Sequence, residues 1–156
     1  MRLYVDFEFT KFNGKLISFA IVTDDGKELY LARPAVELEA LKPEMHDFVK
    51  STVLPVLAVE GAVPAYVLLK DWIPQIHRFL VDTLKRDKEI IFVADWPEDI
   101  KHLMSLLITG PGTMIGLPSF SCEIYRVESY PCADPAAVAH NALWDARALR
   151  LRLTGK

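Results

Sequence analysis

Apolar and polar residues alternate almost from the start of the chain. In RLYVDFEF (residues 2–9), Leu3, Val5, Phe7 and Phe9 fall on one face of a strand, while Tyr4, Asp6 and Glu8 fall on the other. Asn13-Gly14 reads as a turn into a second strand, KLISFAIV (15–22), and Asp25-Gly26 as a hairpin turn into a third, ELYLA (28–32). Three strands joined by two tight turns make an antiparallel meander. Helical spacing follows over 43–57 and 71–87, the second with Trp72, Ile73, Ile76, Phe79 and Leu80 on its apolar face. The intervening VEGAVPAYV (59–67) reads as a loop. EIIFVA (89–94) is a short continuous apolar run, the pattern of a strand covered on both faces. A helix over 96–108, a Gly/Pro-rich loop TGPGTMIGLPS (109–119), a strand over 119–125 and a helix over 141–153 complete the chain. The order predicts an α/β domain: a mixed sheet, meander plus parallel strands, with helices on both faces. No repeat, low-complexity tract or linker divides it, so residues 1–156 are expected to form a single domain.

Acidic residues break this pattern in three places. Asp6 and Glu8 share one face of the first strand, and if that strand is central both are removed from water, at a cost unless charge or metal compensates. Asp99 sits between Leu103 and Leu106 on the apolar stripe of its helix, where a carboxylate needs a partner. Asp95, by contrast, reads as the N-cap of that helix, with Glu98 closing a capping box. In the last helix Asp145 borders the stripe formed by Ala142, Ala146, Leu149 and Leu153, with His140 at or just before the helix start and Asn141 as its cap. His46, His77 and His102 read as structural.

Composition narrows the class. The chain has 156 residues, 51% of them hydrophobic, enough for a substantial core. No stretch approaches a membrane span, and acids interrupt the apolar N-terminus where a signal peptide would continue. Cys122 and Cys132 lack zinc-type spacing and fit a reducing compartment, so a cytoplasmic protein is expected. A net charge of −3 argues against a broad basic surface for duplex DNA, though not against nucleic acid held through metal ions.

The combination of D-x-E on a first strand (VDFE, 5–8), an Asp in a helix after a buried strand, and HNALWDA (140–146) in the final helix resembles the DnaQ-like 3′–5′ exonuclease superfamily. The resemblance is to the branch with a histidine five residues before the last aspartate, and nearest to small bacterial and phage ribonuclease T-like exoribonucleases. It implies a ribonuclease H-like fold, two divalent ions (Mg²⁺ or Mn²⁺), and release of nucleoside 5′-monophosphates from single-stranded 3′ ends. RNA is the expected substrate, with DNA the nearest alternative. By motif position Asp6, Glu8, Asp99 and Asp145 would be metal ligands and His140 the general base. WPEDIKHL departs from the family, which usually carries Asn where Asp95 stands; Asp99 and Asp95 therefore both remain open as the middle ligand. The stretch after Glu8 departs as well. The physical logic is that two ions about 3.5–4 Å apart neutralise both oxygens of an in-line displacement. Hard cations prefer carboxylates, and histidine can accept a proton from water near neutral pH.

Backbone around Phe9 and Thr10 is expected at the terminal sugar, and Phe12 and Trp96 as base-stacking surfaces. Arg126 is a candidate phosphate contact; Arg147, Arg150 and Arg152 read rather as a solvated helix face. Homodimers are common in that superfamily and stay an open expectation, since no residue marks an interface. Two rivals remain: an endonuclease of ribonuclease H or resolvase type, against which HNALWDA counts, and a non-catalytic nucleic-acid-binding adaptor, expected to have lost one of the acids or the histidine.

Overall fold

The computed structural model describes residues 1–83 and 89–155. Strand β1 (Arg2–Phe9) is followed by β2 (Leu16–Thr23) and β3 (Glu28–Ala32), then by helix α1 (Ala35–Leu41). A 3₁₀ turn (Lys42–Glu44), a π-helical stretch (Val49–Val53) and α2 (Leu54–Val56) lead to β4 (Ala65–Tyr66). After a second 3₁₀ turn (Leu69–Asp71) come α3 (Trp72–Thr83), β5 (Glu89–Ala94), α4 (Pro97–Leu107), the small hairpin β6 (Ile108–Gly110) and β7 (Thr113–Met114), β8 (Ser119–Ile124) and α5 (Ala142–Thr154).

Six strands form one mixed sheet in the order β4-β3-β2-β1-β5-β8. The meander β1-β2-β3 is antiparallel, whereas β5 runs parallel to β1, and β8 parallel to β5. Both faces are covered. Leu3, Val5 and Phe7 of β1 pack with Trp72, Ile76 and Leu80 of α3 and Leu103 and Leu107 of α4. On the opposite face, Tyr4, Ala20 and Val22 meet Ala142, Ala146 and Leu149 of α5. Alanines at 20, 142 and 146, all fully buried, leave little side chain between α5 and the sheet, which sets the helix close over β1. Every residue of β2 is buried, so the even-numbered face of β1 is not the solvated side that an edge strand would show.

Several local expectations change. The first turn is not a two-residue Asn-Gly hairpin. Thr10 and Lys15 close a wider loop, their backbones joined by N–H to O at 2.9 Å, and only Asn13 takes a positive φ, of 54°. Gly14 is needed for a different reason: a Cβ there would collide with Thr10 Oγ1 and lie 2.5 Å from the Lys11 carbonyl. At the second turn Gly26, with φ of 83°, follows Asp24 and Asp25 inside the Thr23–Lys27 closure, a three-residue hairpin ending in a left-handed glycine. The helix expected over 43–57 is broken at Met45–His46 and restarts at Asp47, and α1 precedes it unforeseen. Proline 34 supplies the extended backbone that launches α1, a start lacking the Ser/Thr/Asp/Asn signal. Tyr66 and Ala65 add a short parallel edge to β3, and Gly-Pro-Gly turns the 109–119 loop into the β6–β7 hairpin. Residues 84–87 of the expected second long helix lie outside the described residues. No helix among the described residues is long and apolar enough to cross a membrane.

Candidate active site

Strands β1 and β5 stay paired only from Arg2–Ile91 to Tyr4–Val93. Beyond that point their C-terminal ends separate, and a cleft opens between β1 and the starts of α4 and α5, the usual position for ligands in such sheets. A bulge falls at the same end. Glu8 pairs with Ser18 and Phe9 with Leu16, so Ile17 is the extra residue on β2. Asp6 and Glu8, two residues apart on the α5-facing side, enter the cleft from this strand.

Helix α4 brings the second set of acids. Its N-cap is Trp96, which offers no side-chain acceptor, and Pro97 occupies the first helical position, where a missing N–H is tolerated. The expected capping box is therefore absent. Asp95 lies one residue too early to cap. Glu98, buried, instead accepts the Asn13 backbone N–H at 2.6 Å and stands 3.6 Å from His102 Nε2, tying the Thr10–Lys15 loop to α4. Freed from capping, Asp95 lines the cleft beside Asp99, which is only 2% exposed.

The start of α5 is fixed by Asn141. Its Oδ1 accepts the Trp144 N–H at 3.1 Å, the cap that the sequence predicts, while its Nδ2 donates to Val56 O at 2.8 Å and Tyr30 Oη at 3.2 Å. This anchors the helix to both β3 and the end of α2. His140, immediately before, has a φ of 66° and donates its backbone N–H to Asp145 Oδ2 at 3.0 Å. The exposed imidazole lies edge-to-face with Phe48, ring centroids 5.1 Å apart.

The result is a half-open cleft of about 610 Å³ lined by Asp6, Glu8, Asp95, Asp99, His140 and Asp145, with Phe48, Trp96 and Tyr130 around them. Ligating atoms of Asp6, Asp95 and Asp99 lie within 4.8 Å of one another, and so do those of Glu8, His140 and Asp145. Burial and mutual repulsion push the acids toward their protonated forms. Asp6 rises well above the ordinary range through burial, then through Asp99, Asp145, Glu8 and Asp95. Glu8 rises through burial, then through Asp145 and Asp99. Burial raises Asp99 to about 8, aided by Asp95 and opposed by the Phe7 backbone N–H. It raises Asp145 to about 7, against the pull of Tyr130 and the His140 amide. Burial also raises Asp95, with Arg126 opposing. Buried oxygens of Asp6 (Oδ2), Asp99 (Oδ2) and Asp145 (Oδ1) have no hydrogen-bond partner among the described residues. The Tyr130 hydroxyl approaches Asp145 closely enough to lower its pKa, yet closes no well-formed hydrogen bond. Clustered carboxylates with orphaned oxygens form groups that could hold metal ions.

Five residues picked out by pattern, Asp6, Glu8, Asp99, His140 and Asp145, thus share one cleft. Phe9 and Trp96 also line it, Trp96 with the Arg126 guanidinium 4.3 Å from its ring centroid. Thr10 does not serve as a contact surface. It is fully buried, its N–H goes to Lys15 O, its carbonyl takes the His46 N–H, and its hydroxyl takes the Lys15 N–H at 3.0 Å. Phe12, 79% exposed on the loop, is not among the residues lining the cleft. Arg147 pairs with Glu28 at 2.6 Å rather than standing as a solvated charge, and Arg150 donates to Asp24 O at 2.9 Å. His102 is structural as read, packed 5.1 Å from the Phe9 ring. Sequence reasoning read Asp95 as a helix cap, keeping it open as the middle ligand only through its motif position, and missed Phe48 and Tyr130. For Asp95 the signal was present, since Pro97 at the first helical position makes Trp96 the N-cap. Phe48 and Tyr130 arrive from distant segments without a local pattern to mark them.

Comparison with protein-family models and with curated protein sequences found no match for this chain. The fold and site define a mixed α/β structure with an acidic cleft whose residues could hold a metal ion.

Proposed function

We propose that the protein is a metal-dependent 3′–5′ exonuclease acting on single-stranded nucleic acid, with RNA preferred over DNA and a ribonuclease H-like arrangement of its sheet. The carrying observation is the convergence of Asp6, Glu8, Asp99 and Asp145 with His140 in one cleft, drawn from β1, α4 and the start of α5. The RNA preference and the 3′ polarity rest on the motif resemblance. The carboxylates fit hard divalent cations: the donors are all oxygen, and three buried oxygens have no protein partner among the described residues. Asp6, Glu8, Asp99 and Asp145 would hold them. When bound, such cations neutralise charge on the attacking and leaving oxygens of a phosphodiester.

The chain's own residues do the rest. His140 accepts a proton from the attacking water, whose oxygen bonds to phosphorus as the bond to the 3′ oxygen of the preceding nucleotide breaks. The products are a nucleoside 5′-monophosphate and a chain shorter by one. The amide of His140, bonded to Asp145, and the Phe48 ring orient the imidazole at the cleft mouth. Half-exposed Phe48 and Trp96 give stacking surfaces for unpaired bases, which suits a single strand.

The test is a 3′-labelled single-stranded oligonucleotide, as matched RNA and DNA, with Mg²⁺ or Mn²⁺. Labelled mononucleotide should appear from the first time point, faster from RNA, and EDTA should stop it. Internal cuts would favour the endonuclease reading, and absence of products the adaptor; either result removes the proposal.

A further inference from the structure

Asp95 has no structural duty that accounts for its position. It does not cap α4, and among the described residues its own backbone amide and Arg126 favour its ionised form. Yet one of its oxygens lies within 4.8 Å of oxygens from both Asp6 and Asp99. Its charge bears on Asp6, Asp99 and Asp145 together. Three carboxylates turned toward one another repel, and a fold keeps such a contact only against compensation.

The neighbours show what kind of compensation. Asp99 is 98% buried, lines the cleft, and its Oδ2 has no hydrogen-bond partner among the described residues. Asp6 Oδ2 is likewise buried and unpartnered. A neutral ligand would leave the repulsion in place, and a bulky organic cation would not fit among oxygens this close. A small, hard divalent ion satisfies both requirements, since it prefers several oxygen ligands of high negative charge.

We propose that Asp95 is a direct ligand of a divalent cation held with Asp6 and Asp99, making this a cleft of five acidic ligands rather than four. The second group, Glu8 and Asp145 beside His140, offers one carboxylate fewer, so the two groups are chemically unequal. The all-carboxylate group takes the cation more tightly and fills first. This rests on the functional reading only in requiring a cation, not in requiring nuclease activity.

The experiment is Asp95→Asn, an isosteric change that removes one charge. Mn²⁺ is titrated calorimetrically into EDTA-treated, dialysed wild type and variant, and both are melted with and without Mn²⁺ at alkaline pH. The tighter of two binding steps should weaken by more than about 10-fold, the loss seen even for residues that merely support a ligand. The metal-free variant should melt above wild type, because one facing charge is gone, while its Mn²⁺-induced gain in Tm shrinks. Superimposable isotherms, or a metal-free variant that melts lower or fails to fold, would overturn the assignment. An inactive wild type that still binds Mn²⁺ in two unequal steps would end the nuclease reading and leave this one standing. An active wild type with an Asp95-independent isotherm would do the reverse.

Discussion

Raising the pH should destabilise the metal-free protein, and Asp99 allows the size of the effect to be worked out. Its carboxyl moves from an ordinary 3.8 to about 8, with burial as the largest cause. The folded value lies above the unfolded one, so the stabilisation is complete below about 3.8 and is lost as the pH climbs through 8. About four units at roughly 1.36 kcal/mol each sets a ceiling near 6 kcal/mol. Water entering the half-open cleft and small side-chain shifts reduce the cost of ionising a buried group, leaving on the order of 2–4 kcal/mol. For a domain of this size, that corresponds to a fall in Tm of roughly 5–15 °C. The assay is thermal unfolding by circular dichroism in EDTA between pH 5 and 9, for wild type and Asp99→Asn. His102, whose pKa burial lowers, adds stability as it loses its proton, but it is present in both proteins and cancels in the difference. The wild-type Tm should fall with pH relative to the variant, and Mn²⁺ should restore it at the alkaline end. A wild-type Tm that is level or rising, or an equal slope in Asp99→Asn, would refute the account of the cleft as a store of repulsion.

Two further outcomes are expected. His140→Ala should lower the hydrolysis rate by about 10²–10⁴-fold, the usual contribution of a general base, with both Mn²⁺ binding steps retained in calorimetry; loss of a binding step would make His140 a ligand instead. Asn141→Ala removes a helix cap worth about 1 kcal/mol and takes the amide donor from the part-buried Val56 carbonyl, at about 1 kcal/mol more, while the Tyr30 hydroxyl keeps its bond to Leu57 O. Urea unfolding should register the sum, and a loss under about 0.5 kcal/mol would show that α5 is positioned by packing alone.

The sheet was legible because its signals are local. Alternation in β1, the uninterrupted apolar run of β5 and the Asp25-Gly26 turn each constrain a few consecutive residues, and the structure follows them closely. The 33–66 region was not legible in the same way. Its helical pieces change type from α to 3₁₀ to π, so no single period describes them, and their apolar residues Leu41, Met45, Val49, Val53 and Leu57 cover Ile17 and Ala32 as a patchwork. Thr10 shows another limit. A threonine beside a D-x-E strand looks available to a substrate, but only the loop closure reveals that all its polar atoms are already engaged.

The acids illustrate why burial, rather than composition, made the site readable. Among 21 acidic residues, those that mattered were the ones whose positions clashed with an apolar pattern: Asp6 and Glu8 in β1, Asp99 on the stripe of α4, and Asp145 at the edge of the stripe of α5. Asp95 reads as a cap because it clashes with nothing; it lies between strand and helix, where an acid is ordinary, and only its motif position keeps it open as a ligand. Its membership of the cluster follows from a neighbour. Proline at the first turn of α4 moves the cap to Trp96 and leaves the Asp95 side chain without a helix terminus to satisfy, and the turn out of β5 then directs it at Asp6 and Asp99. The same three-residue stretch places an exposed indole and its stacked Arg126 at the rim. A single local choice at Trp96-Pro97 thereby sets both the charge inside the cleft and the apolar surface at its mouth.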